Sequence, residues 1–232
     1  MDFLNSIFRF SLTELPFVLL TLMFAFTIHE FSHAYFANKF GDPTARLLGR
    51  VSLNPAVHLD VLGTLLLVIA GFGWAKPVPV NRDNFSNPRL MGIVVSAAGP
   101  LSNLLLAFVT TLFYVGLAAT GLWSTISEAN PNAFEAIRIF VNYMVTLNIL
   151  LFLFNLIPLP PLDGYRILED VASGLLRRRL QQFEQYSIFI FLLILVLPPV
   201  RAFTIDPLYS MINVIADQFF RFAIMLFGVG GA

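Results

Sequence analysis

Apolar stretches of about 20 residues recur along this chain, and a run of that length crosses the hydrocarbon core of a bilayer as a helix. They lie at about 16–38, 90–119, 134–160, 183–200 and 207–228. Backbone in lipid must satisfy its own amides, so such runs commit the chain to helices. A sixth apolar run, Val61 to Gly73, has only 13 residues, which predicts a re-entrant or interfacial segment. Composition agrees: 57% of the 232 residues are hydrophobic and 12% are charged, far from the soluble balance. The expected fold is an all-α multi-pass membrane protein with five to six transmembrane or re-entrant helices. With no internal repeat or long linker, residues 1–232 read as one membrane-embedded domain.

Charge decides less in sum than in distribution. The formal net charge is zero, so there is no basic excess for nucleic acid to bind. Lys39, Arg46, Arg50, Lys76, Arg82 and Arg89 lie between the first two spans, and Arg166, Arg177, Arg178 and Arg179 between the third and fourth. The alternate loops hold only Arg201. Positively charged loops stay in the cytoplasm, which predicts a cell-membrane protein with the N-terminus outside and both basic loops inside. The N-terminal segment has no small-residue cleavage site before its apolar run, so the first helix is expected to stay. The chain has no cysteine, which excludes disulfides, thiolate metal sites and a cysteine nucleophile.

In the first basic loop, alternation, Val and flanking Pro predict short strands at 44–53 and 75–81, paired as a small hairpin or sheet. The edge of the 75–81 strand would receive an unwound peptide segment by β-augmentation.

The first span carries three ionisable side chains, His29, Glu30 and His33, in the pattern HExxH. Residues i and i+4 of a helix share a face, so both imidazoles can bind one Zn²⁺, with Glu30 beside them to take a proton from a water that zinc acidifies to a pKa of about 7. Intramembrane ionisable groups cost roughly 2.5 kcal/mol or more each unless paired or solvated, and that cost weighs against two idle core histidines. Catalytic zinc usually holds three protein ligands and a water. His58, in NPAVHLD, and Asp163, in NLIPLPPLDG, are the two candidates for the third. Pro158, Pro160 and Pro161 interrupt a helix still at membrane depth, which is tolerated where backbone is buried in protein or lines a wet cavity.

HExxH in a membrane helix followed by NxxPxPxxDG resembles the site-2 protease family of intramembrane zinc metalloproteases. The resemblance covers about residues 16–165 and extends to AGPLSN, where Gly99, Pro100 and Asn103 are similar to a recurring family pattern. It implies that His29, His33 and Asp163 bind one catalytic zinc ion and that Glu30 is the general base. It further implies that Asn155 holds the substrate backbone or the developing oxyanion. The implied substrates are transmembrane segments of other, single-pass membrane proteins, cut in regulated intramembrane proteolysis on the cytoplasmic side. His58, Asn103, Pro158, Pro160 and Gly164 are near-site candidates, and His58 reads equally as a structural loop histidine. Many relatives carry a PDZ or CBS module that this length does not accommodate, so the chain resembles a minimal member. A competing reading is a metal-ion or proton transporter that uses the same intramembrane polar residues as an ion path.

Overall fold

The computed structural model describes residues 11–70, 73–186 and 206–229, with isolated positions between 189 and 202. Among these, four helices are long and apolar enough to cross a membrane. They are α1 (Leu15–Lys39), α4 (Pro88–Ala119), α6 (Pro131–Asn155) and α9 (Asp206–Phe227). Between them lie α2 (Thr44–Leu47), α3 (Val61–Ala70), α5 (Leu122–Ala129), α7 (Asp163–Val171) and α8 (Gly174–Glu184). The short α3 coincides with the run expected to be re-entrant. The span expected at 183–200 lies almost wholly outside the described residues.

Local chemistry sets the ends of these helices. Pro16, Pro88 and Pro131 stand in the first turns of α1, α4 and α6, where a missing N–H costs nothing. The side chains of Asn87 and Asn130 cap α4 and α6 by accepting from Leu90 and Ala133 amides. The expected third span was drawn to residue 160, but α6 stops at Asn155. Pro158, Pro160 and Pro161 cannot continue a helical ladder, and residues 156–162 form turns instead.

The helices pack with their polar side inward. Thr21, His29, Glu30, His33, Asn103, Thr111 and Asn148 are all buried, while Phe113 and Met225 are 67% and 76% exposed. This inverts the soluble pattern and presents apolar side chains to lipid. α1, α4 and α6 pack together, and α9 lies against α4 and α6. Ala107, Val145, Ile149, Leu153 and Ile212 make the core where α4, α6 and α9 meet. A second cluster, Ala37, Phe85 and Val95, seats the loop before α4 on the end of α1.

The predicted hairpin is absent: no strand occurs among the described residues. Residues 44–47 form the helical turn α2, and 73–81 run without regular structure or a partner strand. Side chains take the backbone groups that a ladder would need. The Arg50 guanidinium donates to the Lys76 and Pro77 carbonyls, and the Val78 and Asn81 amides donate to Glu30 and Asp42 carboxylates. Pro77 and Pro79 have no N–H to offer.

Candidate metal centre

One face of α1 presents His29 and His33 one turn apart, both buried. The turns at 156–162 bring α7 back against α4, so that Asp163, its first residue, points at the two imidazoles. Gly164 permits that return, because a Cβ there would overlap the Leu156 and Ile157 backbone. His29 Nε2 and His33 Nε2 are 3.0 Å apart, and they lie 3.2 and 3.4 Å from Asp163 Oδ2. A tetrahedral zinc with bonds near 2.05 Å has ligand–ligand edges of about 3.3 Å. The three atoms are therefore spaced as the donors of one such ion. They are the group of metal-ligating side chains found among the described residues.

The hydrogen bonds behind the imidazoles decide their tautomers. His33 Nδ1 lies 2.7 Å from the Val95 carbonyl, which only accepts, so Nδ1 carries the proton. His29 Nδ1 lies 2.7 Å from Asn103 Oδ1. The Asn103 amide is oriented by its NH₂ group, which donates to the Ala25 carbonyl and Asn148 Oδ1; Asn148 donates in turn to the Met144 carbonyl. This amide relay ends on backbone carbonyls, so its sense is fixed and His29 Nδ1 is also a donor. In neutral rings both Nε2 atoms then face Asp163 Oδ2 with their lone pairs, and Oδ2 is buried with no hydrogen-bond partner. Three acceptor atoms this close repel one another unless a proton or a cation lies among them, and a bound cation fills that place for all three at once.

Room for the imidazoles comes from α4. A Cβ at Gly99 would overlap His33 Nε2 and His29 Nε2. Ser96, Ala98 and Gly99 are small, and that stretch of α4 approaches α1 closely, as small residues allow in membrane helices. Glu30, next to His29 on α1, is buried, and its Oε2 accepts from the Val78 amide at 3.0 Å. Arg50 is 5% exposed and holds the two carbonyls just before Val78. Burial pushes its guanidinium below the ordinary range while the Glu30 charge pulls it back up.

A model of peptidase family M50 matches residues 17–198, which contain the whole centre. The chain belongs to peptidase family M50. It is 47% identical over 189 residues to "Putative zinc metalloprotease YwhC" of Bacillus subtilis, covering 82% of this chain and 84% of that one. It is 27% identical over 190 residues to "Putative zinc metalloprotease Rip2" of Mycolicibacterium smegmatis, covering 78% and 67%. It is 30% identical over 180 residues to the protein of that name in Mycobacterium tuberculosis H37Rv, covering 74% and 63%. No solved structure matches the chain.

In this M50 peptidase the remaining predicted residues separate. Asn103 stands directly behind His29. His58 is fully buried, but its Nε2 faces the Ser52 carbonyl at 2.7 Å and its own carbonyl accepts from Lys76. Burial pushes its imidazole down from the ordinary value, and the bond to Ser52 opposes this only in part. It is not in the group with His29, His33 and Asp163. Asn155 ends α6 and donates to the Leu151 carbonyl of its own helix. Pro160 is buried and Pro158 exposed in the turn that delivers Asp163. Asn148 and Arg50 join the centre without belonging to either motif. The signal for Asn148 was a lone amide inside the apolar run VTLNILLFLF, where an unsatisfied polar group is costly.

Proposed function

We propose that this M50 peptidase is an intramembrane zinc endopeptidase that cuts peptide bonds within or near the transmembrane segments of single-pass membrane proteins. His29, His33 and Asp163 hold one zinc ion and Glu30 is the general base. The observation that carries this is the convergence of three potential ligand atoms at 3.0–3.4 Å, with the Nδ1 atoms of both imidazoles committed to Asn103 and Val95. Zinc, when bound, supplies a Lewis acid that activates water near neutral pH and polarises a carbonyl. Glu30 keeps its Oε2 on the Val78 amide, which leaves its other oxygen to take the proton of the attacking water and pass it to the leaving amine. Asn155, eight residues before Asp163 in the motif, holds the substrate backbone or its developing oxyanion. The basic residues from Lys39 to Arg89 follow the centre-bearing end of α1, which supports a cytoplasmic-side site and an external N-terminus.

Glu30→Gln is expected to keep zinc and lower cleavage by about 10²–10⁴-fold, the usual worth of a general base. The measurement compares proteins that co-purify from native membranes with wild type and with Glu30→Gln. Single-span proteins should accumulate intact on the variant and appear shortened with wild type. Equal cleavage by both would overturn the assignment of Glu30, and ion flux lost in Glu30→Gln without any shortened protein would favour the transporter.

Asn103→Ala removes the acceptor for His29 Nδ1–H and frees that ring to turn. Zinc affinity is expected to fall about 10–100-fold, as when other groups behind metal-binding histidines are removed. Competition against a chromophoric chelator measures it.

A further inference from the structure

α7 is nine residues long, too short to hold a position by its own helical stability, yet it carries the third member of the centre. Asp163 and Asp170 stand seven residues apart, two turns along one face, a separation of about 10.5 Å. Gly92 and Gly99 have the same spacing on α4. A Cβ at Gly99 would overlap the imidazoles facing Asp163, and a Cβ at Gly92 would overlap the Asp170 carboxylate. Two glycines on α4 thus match two aspartates on α7, with the helices antiparallel.

We propose that Arg82 and Asp170 are positioning residues that clamp α7 in register on α4 and so hold Asp163 at zinc-binding distance from His29 and His33. This rests on the zinc reading above. Arg82 lies 2.9 Å from Asp170 Oδ2, and Asp170 is 2% exposed. Arg82 also lies 3.7 Å from Glu169 Oε2. The remaining polar side-chain contacts that α7 makes with other elements beyond Asp163 lead to α8, among the described residues: Tyr165 to the Leu180 carbonyl, Arg166 to Glu184, Glu169 to Gln181 and Arg177, and Asp170 to Arg177 at 4.0 Å. Those ties move with the helix that follows. Arg82 instead reaches back to α1, because its neighbours are fastened to Asp42 at the end of that helix. The Asn81 amide donates to Asp42 Oδ2 at 2.7 Å and the Asn84 side chain to Oδ1 at 2.8 Å. The connection therefore closes on itself: α1 carries the histidines, Asp42 holds the loop, the loop holds Asp170, and α7 returns Asp163 to the histidines.

Stability does not account for the pair. Burial raises the Asp170 carboxyl above its ordinary value, and Arg82 offsets only part of that. A carboxyl raised on folding stabilises the fold while protonated; that contribution is present below the unfolded value and lost as pH rises through the folded one. At neutral pH the ionised group is a net cost.

The test titrates purified full-length protein in nanodiscs with zinc against a chromophoric chelator, alongside thermal unfolding of the zinc-free form. Asp170→Asn is expected to weaken zinc 10–100-fold, the range for groups that orient metal ligands, with the zinc-free unfolding temperature unchanged or higher. Arg82→Lys, which keeps the charge, should recover most of the affinity lost in Arg82→Gln. Gly92→Ala, which leaves every charge in place and pushes on Asp170, should weaken zinc as Asp170→Asn does, and it decides the matter if Asp170→Asn does not fold. Zinc affinities within twofold of wild type in Asp170→Asn or Gly92→Ala would overturn the clamp. Wild-type protein that takes up no zinc would overturn the zinc reading itself.

Discussion

Asp163→Ala is expected to purify without zinc, and His58→Ala to keep one ion per chain. Both residues were candidates for a third ligand, and the geometry separates them. Asp163 Oδ2 lies 3.2 and 3.4 Å from the two imidazole nitrogens and has no hydrogen-bond donor of its own. Its removal leaves two protein donors where catalytic zinc sites use three. Occupancy should fall close to zero under chelator competition, and cleavage should fall below detection with it. His58 spends Nε2 on the Ser52 carbonyl and sits outside the converging group. Its loss should cost the fold roughly 1–3 kcal/mol, through the fully buried imidazole removed and its hydrogen bond to the Ser52 carbonyl lost. Metal analysis of both variants, with thermal unfolding beside it, checks the pair. Zinc retained by Asp163→Ala and lost from His58→Ala would reverse the assignment.

Gly99→Ala should abolish zinc binding through a single methyl group. Helix propensity alone favours the change, since alanine is better than glycine in a helix interior by about 1 kcal/mol. Packing opposes it: the added Cβ would overlap both His33 Nε2 and His29 Nε2, the atoms that would face the ion. The imidazoles cannot retreat freely, because their Nδ1 atoms are tied to Asn103 and Val95. The expected result is a helical, membrane-inserted protein with no metal and no activity. Gly116→Ala, further along α4, is the control. Its Cβ would meet only the tip of the Phe227 ring at 3.1 Å, a side chain at the far end of α9 that can give way. Full zinc content in Gly99→Ala would mean that α1 and α4 stand further apart when the ion is bound.

Much of this arrangement was legible before any packing was known, because it is local. The span lengths follow from bilayer thickness, so α1, α4, α6 and α9 fall within a few residues of their expected bounds at most ends. The histidines at 29 and 33 share a face through helical spacing alone. The expected hairpin failed for a physical reason that alternation does not reveal. Residues 73–81 have strand-like composition, but their amides and carbonyls are claimed by Glu30, Arg50 and Asp42 from distant parts of the chain. The role of His58 was equally hidden, since a buried histidine beside a metal site and one holding a loop carbonyl look the same in NPAVHLD.

The sequence by itself determined a helical membrane chain, the HExxH pair of imidazoles and the proline-rich turn that ends in Asp163, since each depends on spacing within one segment. Only the tertiary structure decided which ring nitrogens face the centre, because the tautomers are set by Val95, Asn103 and Asn148 on other helices. It alone decided that Gly99 and Gly92 open the two places on α4 that Asp163 and Asp170 approach, because steric room between helices is a property of their packing and of no single segment.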